Sequence, residues 1–325
     1  MKAVGPVGTR PEKQPINYGE GDYSMDRMAA IRRLAEEQEA LIAAHTYQTP
    51  EIQDAADIVG DSYALAKKAA DSQARSVYMC GDRFMAEGVK ILAPDKRVVL
   101  VEPQADCPMA RQIDPQRVAE FRDAHPEYAV VAYINTTAEL KAVSDVCVTS
   151  SSALKIVRAL PQKDILFIPD KNLGDYVRRQ VPEKHIVTWD GYCPVHNAVT
   201  AADVQAARRL YPAARVAMHP ECPPEALALA DMTGSTAAII EYIRGGGDDV
   251  IVATERGVVD RLEPAYPGRL HQLCGEKLIC PDMKRTTLES LLAAMEGRGG
   301  EEIRLEEGLA AAARHSLENM LRYGG

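Results

Sequence analysis

The chain has 325 residues, with 38 basic against 47 acidic side chains and a formal net charge of −9. That balance provides no basic stripe to follow a phosphate backbone, which excludes general nucleic-acid binding but not a small anion held by a few local donors. Hydrophobic residues at 46% and aromatics at 5% give an ordinary soluble globular composition whose core rests on Ala, Val, Leu and Ile. No apolar run approaches the ~20 residues that span a bilayer, so no membrane partner is expected. Residues 1–24 are polar, contain no apolar stretch of the signal-peptide kind, and read as an N-terminal arm; the expected location is the cytoplasm.

Taken in order, the chain alternates helix and strand. Amphipathic spacing predicts a helix over Met25–Gln38, a buried strand over Ala40–Ala44, and a helix opening at Pro50-Glu51. Gly60-Asp61-Ser62 separates that helix from a second one reaching Asp71. Strand Ser76–Met79, helix Arg83–Leu92 and strand Arg97–Val101 follow. The order then returns twice, with strands at Val130–Ile134 and Val216–Met218 and later strands at Ile165–Ile168 and Val250–Ala253. Glu301–Leu321 reads as a C-terminal helix.

Two features recur with one period. A Glu and an Asp six positions apart appear as Glu51/Asp57, Glu139/Asp145 and Glu225/Asp231, at intervals of 88 and 86 residues. Cys-Pro steps appear at Cys107-Pro108, Cys193-Pro194 and Cys280-Pro281, at intervals of 86 and 87. The fold class predicted is therefore α/β: three homologous αβα sandwich domains, with parallel right-handed connections, in a pseudo-threefold arrangement around a central site. The predicted limits are 25–110, 111–196 and 197–300, with the segment 301–325 packing on the first domain.

Such an arrangement brings Cys107, Cys193 and Cys280 together as three ligands of a metal or cluster with one position open. Spacing alone does not distinguish a zinc ion from an iron–sulfur cluster. A zinc-dependent hydrolase or lyase, a non-catalytic iron–sulfur sensor and a sugar-phosphate binding protein all remain open on these grounds. The seven cysteines contain no C-x-x-C pair, and Cys80, Cys147 and Cys222 read as small buried hydrophobes.

Ligand sites of parallel sheets lie beyond the carboxyl ends of their strands, and those positions here are polar. They carry His45 and Tyr47, then Tyr133 and Asn135, then His219 and Glu221. Ser62, Ser150, Ser235 and Thr236 fall at predicted helix starts, where backbone N–H groups favour an anion; simple capping is the alternative for the serines. His45 and His219 suit proton transfer or anion binding, and Glu221 is the candidate general base. His196, three residues after Cys193, is placed as a supporting partner of the metal site.

The set of motifs resembles the quinolinate synthase family. The matching stretches are Ala44-His45-Thr46-Tyr47-Gln48, Asp57-Ile58-Val59-Gly60-Asp61-Ser62, Cys107-Pro108-Met109-Ala110, Pro169-Asp170-Lys171-Asn172-Leu173-Gly174, Cys193-Pro194-Val195-His196, His219-Pro220-Glu221-Cys222, Gly234-Ser235-Thr236 and Met283-Lys284. The resemblance implies one [4Fe-4S] cluster on Cys107, Cys193 and Cys280, with one open iron acting as Lewis acid in dehydration. It implies a transferase of NAD biosynthesis that condenses iminoaspartate with dihydroxyacetone phosphate to quinolinate, releasing phosphate and two waters. The enzyme that supplies iminoaspartate is the expected protein partner. Glu221, Tyr47 and His45 become the expected catalytic residues. His45, Ser62, Tyr133, Asn135, Ser150, His219, Glu221, Ser235 and Thr236 become the expected substrate contacts. The C-x-x-C-x-x-C run of some family members is replaced here by Cys274 six residues before Cys280, which does not support a thiol switch of that type.

Overall fold

A computed structural model describes residues 21–324. Positions 1–20 of the predicted arm lie outside the described residues, and the remaining arm positions already belong to the first helix, Gly21–Glu37. Among the described residues no helix is long and apolar enough to cross a membrane.

Short apolar runs rich in Val, Ile and Ala form strands because they are covered by helices on both faces, as parallel sheets require. The first sheet holds β1 (Ala40–His45), β2 (Ile58–Gly60), β3 (Ser76–Cys80) and β4 (Arg97–Leu100). The second holds β5 (Ala129–Tyr133), β6 (Val146–Val148), β7 (Asp164–Ile168) and β8 (His185–Thr188). The third holds β9 (Arg215–Met218), β10 (Met232–Thr233), β11 (Val250–Ala253) and β12 (Leu270–Gln272). Each is parallel throughout its own four strands, and each has the same order, second-first-third-fourth. Strands β2, β6, β8, β10 and β12 were not predicted from the sequence, because segments of two to four residues are too short to show an alternating pattern.

The recurring aspartate has one job in all three sheets. Asp57 Oδ2 accepts the N–H of Ile42 at 2.9 Å, Asp145 Oδ2 that of Val130 at 2.7 Å, and Asp231 Oδ2 that of Val216 at 2.8 Å. Each of these aspartates also donates its own N–H to the carbonyl of the same partner residue, at 2.9 Å in each sheet. The Glu–Asp repeat is thus a fastening between the segment leading into the second strand and the first strand. Central strand residues such as Val77, Val131, Phe167 and Ile251 are fully buried, each worth roughly 1.5–3 kcal/mol in transfer from water.

Two predicted limits need correction. The helix Leu288–Met295 leaves the third unit and packs its Leu288, Leu291 and Met295 with Ile31, Ile42 and Tyr78 on one face of the first sheet. After it, β13 (Glu301–Glu302) adds an antiparallel edge strand to β4. The C-terminal helix is shorter than predicted, Glu307–Gly324. It lies chiefly against the second unit, on helices Ala138–Ala142 and Ala153–Ala159 and on β6, and secondarily on helix Arg83–Leu92 of the first. Its Ala313, Leu317 and Met320 join a core shared by the first and second sheets, which a period-based boundary could not show.

Candidate active site

The carboxyl ends of β1, β5 and β9 open onto one cavity. Matched positions there carry His45, Tyr133 and His219, and two residues further on Tyr47, Asn135 and Glu221; all six line the cavity. The wall is completed by Ser62, Ser150, Thr236, His196 and the three Cys-Pro thiols, Cys107, Cys193 and Cys280. The structure therefore brings together every predicted site residue except one. Ser235 does not line the cavity; its hydroxyl accepts the Ala238 N–H at 3.2 Å as the cap of helix Thr236–Gly245. Its neighbour Thr236 faces inward instead. The other two serines are not caps. Asp61 caps the helix that Ser62 begins, and Ser150 stands two positions before the cap position held by Ser152.

Cys107 and Cys193 each occupy the N-cap position of a short helix that starts with the following proline. The proline fixes the turn and leaves the thiol at the helix mouth. Burial raises the Cys107 and Cys193 thiols well above their usual range and Cys280 to about 12, with neighbouring acidic groups adding to this. Cys107 and Cys280 raise one another's neighbours further still: each contributes to the shift at Cys193, and Cys280 to that at Cys107. Three thiols, Cys107 buried and Cys193 and Cys280 half-buried, that oppose one another's ionisation become compatible as thiolates beside a cationic centre. A smaller donor set overlaps them, since Cys193, His196 and Glu221 place ligand atoms within 4.8 Å of one another and could hold a metal ion.

His45 Nδ1 accepts the Tyr47 N–H at 3.1 Å, so its proton sits on Nε2. Burial first and Lys284 second lower this imidazole to about 3, keeping it neutral. His219 lies in the matching place, with Nδ1 3.4 Å from the Glu221 N–H and 3.2 Å from Glu221 Oε2. Burial lowers His219, although Glu221 opposes this. Burial pushes the Glu221 carboxyl up, but His196 and His219 outweigh it and hold the group below the usual carboxylate range. Tyr47 and Tyr133 are raised above the ordinary phenol range by burial and then by Glu221, so both retain their protons.

One chain of polar contacts crosses the site. Glu221 Oε2 lies 2.8 Å from His196 Nδ1, which also stands 3.3 Å from Cys193 Sγ; His196 Nε2 is hydrogen-bonded to Thr254 Oγ1 at 3.2 Å, and Thr254 Oγ1 to the Tyr47 hydroxyl at 3.0 Å. It ends on Thr236 Oγ1, 2.7 Å from the same hydroxyl. Thr254 was not singled out from sequence. Nor was the buried Glu255, whose Oε1 lies 2.9 Å from Lys284 Nζ and accepts the Cys280 N–H at 3.1 Å. Lys284 Nζ also donates to the Tyr47 carbonyl at 2.5 Å, which ties the third cysteine to the first strand end. Gly257 completes this corner: a Cβ there would stand 2.8 Å from the Tyr47 carbonyl oxygen, so the close approach requires glycine.

A sequence profile described as quinolinate synthetase A protein matches residues 29–322. The chain belongs to that family. It is 43% identical over 295 residues to the quinolinate synthase of Caldicellulosiruptor bescii, covering 90% of this chain and 97% of that one. It is likewise 43% identical to the quinolinate synthase of Clostridioides difficile, covering 89% and 95% of the two chains, and to that of Aquifex aeolicus, covering 90% and 92%. The resemblance first carried by scattered motifs thus extends over residues 29–322 of this chain.

Proposed function

We propose that the protein is a quinolinate synthase that condenses iminoaspartate with dihydroxyacetone phosphate and releases phosphate and two waters. We further propose that it holds one [4Fe-4S] cluster on Cys107, Cys193 and Cys280. The observation that carries this reading is the convergence of three repeat-equivalent thiols on the cavity lined by His45, Tyr47, Tyr133, Asn135, His219 and Glu221. Membership of the quinolinate synthetase A family supports it. When bound, a cluster with three protein ligands supplies an open iron as Lewis acid toward a departing hydroxyl.

The chain's own residues bind and move protons. Both substrates are anions, and the cavity meets them with neutral donors. The Nε2–H of His45 and the hydroxyls of Ser62, Ser150 and Thr236 can receive carboxylate or phosphate oxygens. Tyr133 and Asn135, which line the same cavity, orient hydroxyl and carbonyl groups. Glu221 is present in its base form across the neutral range and takes a proton from carbon as isomerisation proceeds. His196 and Thr254 connect that carboxylate with the protonated Tyr47, so a proton accepted at one end can be balanced by one donated at the other. The enzyme that supplies iminoaspartate is the protein partner this reading calls for.

A second reading rests on the compact Cys193–His196–Glu221 set, which would suit a single zinc ion. One experiment separates the two. Protein purified without oxygen is analysed for iron, sulfide and zinc and then assayed for quinolinate. About four irons and four sulfides per chain with quinolinate formation support the synthase. A colourless protein holding one zinc and making no quinolinate would favour the second reading.

A further inference from the structure

Each sheet places an acid two residues beyond its third strand: Asp82 after β3, Asp170 after β7 and Glu255 after β11. These acids precede the Cys-Pro cysteine of their own unit by 25, 23 and 25 residues. In two units the acid has the same task. Asp170 Oδ2 accepts the Cys193 N–H at 2.9 Å and its Oδ1 accepts the Leu173 N–H at 2.7 Å. Glu255 Oε1 accepts the Cys280 N–H at 3.1 Å, while its Oε2 accepts the Gly257 N–H at 2.6 Å.

Asp82 departs from this pattern. It is only 2% exposed, it stands at the cap position of helix Arg83–Leu92 without making the cap bond, and its Oδ1 is buried without a hydrogen-bond partner. Among the described residues it is the one lining the cavity that has such an orphan atom. A buried carboxyl oxygen left without a partner is costly, so the group is built for one that arrives. The neighbours already present cannot serve. Cys107 and Cys280 are the proposed ligand thiols, and Asp106 and Asp282, whose charges act on it, are acids.

The geometry points to Asp82 as a substrate-binding residue, whose free carboxyl oxygen accepts a hydrogen bond from an N–H or O–H of the substrate held at the cysteine end of the cavity. This deepens the synthase reading and rests on it for the identity of the two substrates. The imine N–H of iminoaspartate and the hydroxyl of dihydroxyacetone phosphate offer the same chemistry, and both are candidates for the donor. Burial first, then Asp282 and Asp106, raise the carboxyl to about 8. An acceptor oxygen is present in either protonation state, so the contact does not depend on that value.

The test compares Asp82→Ala and Asp82→Asn with the parent protein, all loaded with iron under the same conditions. Iron and sulfide content, KM for each substrate, and the Kd of dihydroxyacetone phosphate by calorimetry are measured. Expected is parental iron content, with KM for one substrate raised about tenfold or more in Asp82→Ala and partly recovered in Asp82→Asn, which keeps a carbonyl acceptor. The substrate whose KM moves identifies the donor. Unchanged KM for both substrates, with an unchanged Kd of dihydroxyacetone phosphate, would overturn the proposal. Loss of iron in Asp82→Ala would also overturn it, by giving Asp82 the cysteine-holding task of its two counterparts. Should the parent protein make no quinolinate, the synthase reading fails on that arm, and the calorimetric comparison still decides whether Asp82 contacts the triose phosphate.

Discussion

Glu221 and Tyr47 stand at opposite ends of one chain of polar contacts, joined through His196 and Thr254. The two residues come from different units, one beyond β9 and the other beyond β1. Replacing Thr254 by Val preserves shape and removes the joining hydroxyl. Thr254→Val should keep its iron and lose about tenfold or more in kcat, since one proton-transfer contact is interrupted. Parental kcat in that variant would show that Glu221 and Tyr47 act independently.

Glu221→Gln removes the base while retaining the size of the side chain. Turnover should fall by about 10²–10⁴-fold, the usual contribution of general acid–base catalysis, with iron content unchanged. An active Glu221→Gln protein would take the residue out of its assigned role.

The cysteines divide into two groups. Ala in place of Cys107, Cys193 or Cys280 should abolish iron binding, whereas Cys222→Ala and Cys274→Ala should retain it, because neither thiol lines the cavity. Iron and sulfide analysis of the five proteins decides the matter. Loss of iron from Cys274→Ala but not from Cys280→Ala would reassign the third ligand.

Glu255 is fully buried against Lys284. Lys284→Met leaves that carboxylate without its cation and should cost about 3–5 kcal/mol in stability. Combining it with Glu255→Gln should recover part of the loss. Denaturant unfolding of the two single variants and the double variant measures the coupling, and strictly additive effects would dismiss the pair as a stabilising unit.

Acid should weaken the fold through His45. The folded protein holds this imidazole at about 3, against 6.5 ordinarily. Between those values the unfolded chain binds a proton that the native chain does not. Stability therefore rises with pH across the window and falls as the pH drops below 6.5, by up to ~1.4 kcal/mol per unit for this one group. His45→Asn should flatten the slope of unfolding free energy between pH 7 and 4. An unchanged slope would place the titration elsewhere.

The fold was legible wherever a feature is local or periodic. Apolar runs gave the long strands, and the equal spacing of Cys107, Cys193 and Cys280 and of Asp57, Asp145 and Asp231 gave three like units. The strand-end residues His45, Tyr133 and His219 followed from the same period. Ser235 misled because capping and ligand binding ask for the same residue type, and only the turn of the hydroxyl toward Ala238 separates them. The returns of Leu288–Met295 to the first sheet and of the C-terminal helix to the second depend on packing between distant segments, which periodicity does not encode. Asp82, Asp170 and Glu255 do recur, but acids in loops are common, and their pattern emerges only against known strand ends.

The matched positions beyond β1, β5 and β9 share one backbone setting and carry unlike side chains: His45, Tyr133 and His219, then Tyr47, Asn135 and Glu221. Three identical units would present the same chemistry in every direction and could not tell one end of a lopsided molecule from the other. Divergence at these few places gives the cavity a head and a tail, while the aspartate fastenings beneath it keep the frame in common. The repeated unit thus supplies the architecture, and a handful of unlike side chains supplies orientation.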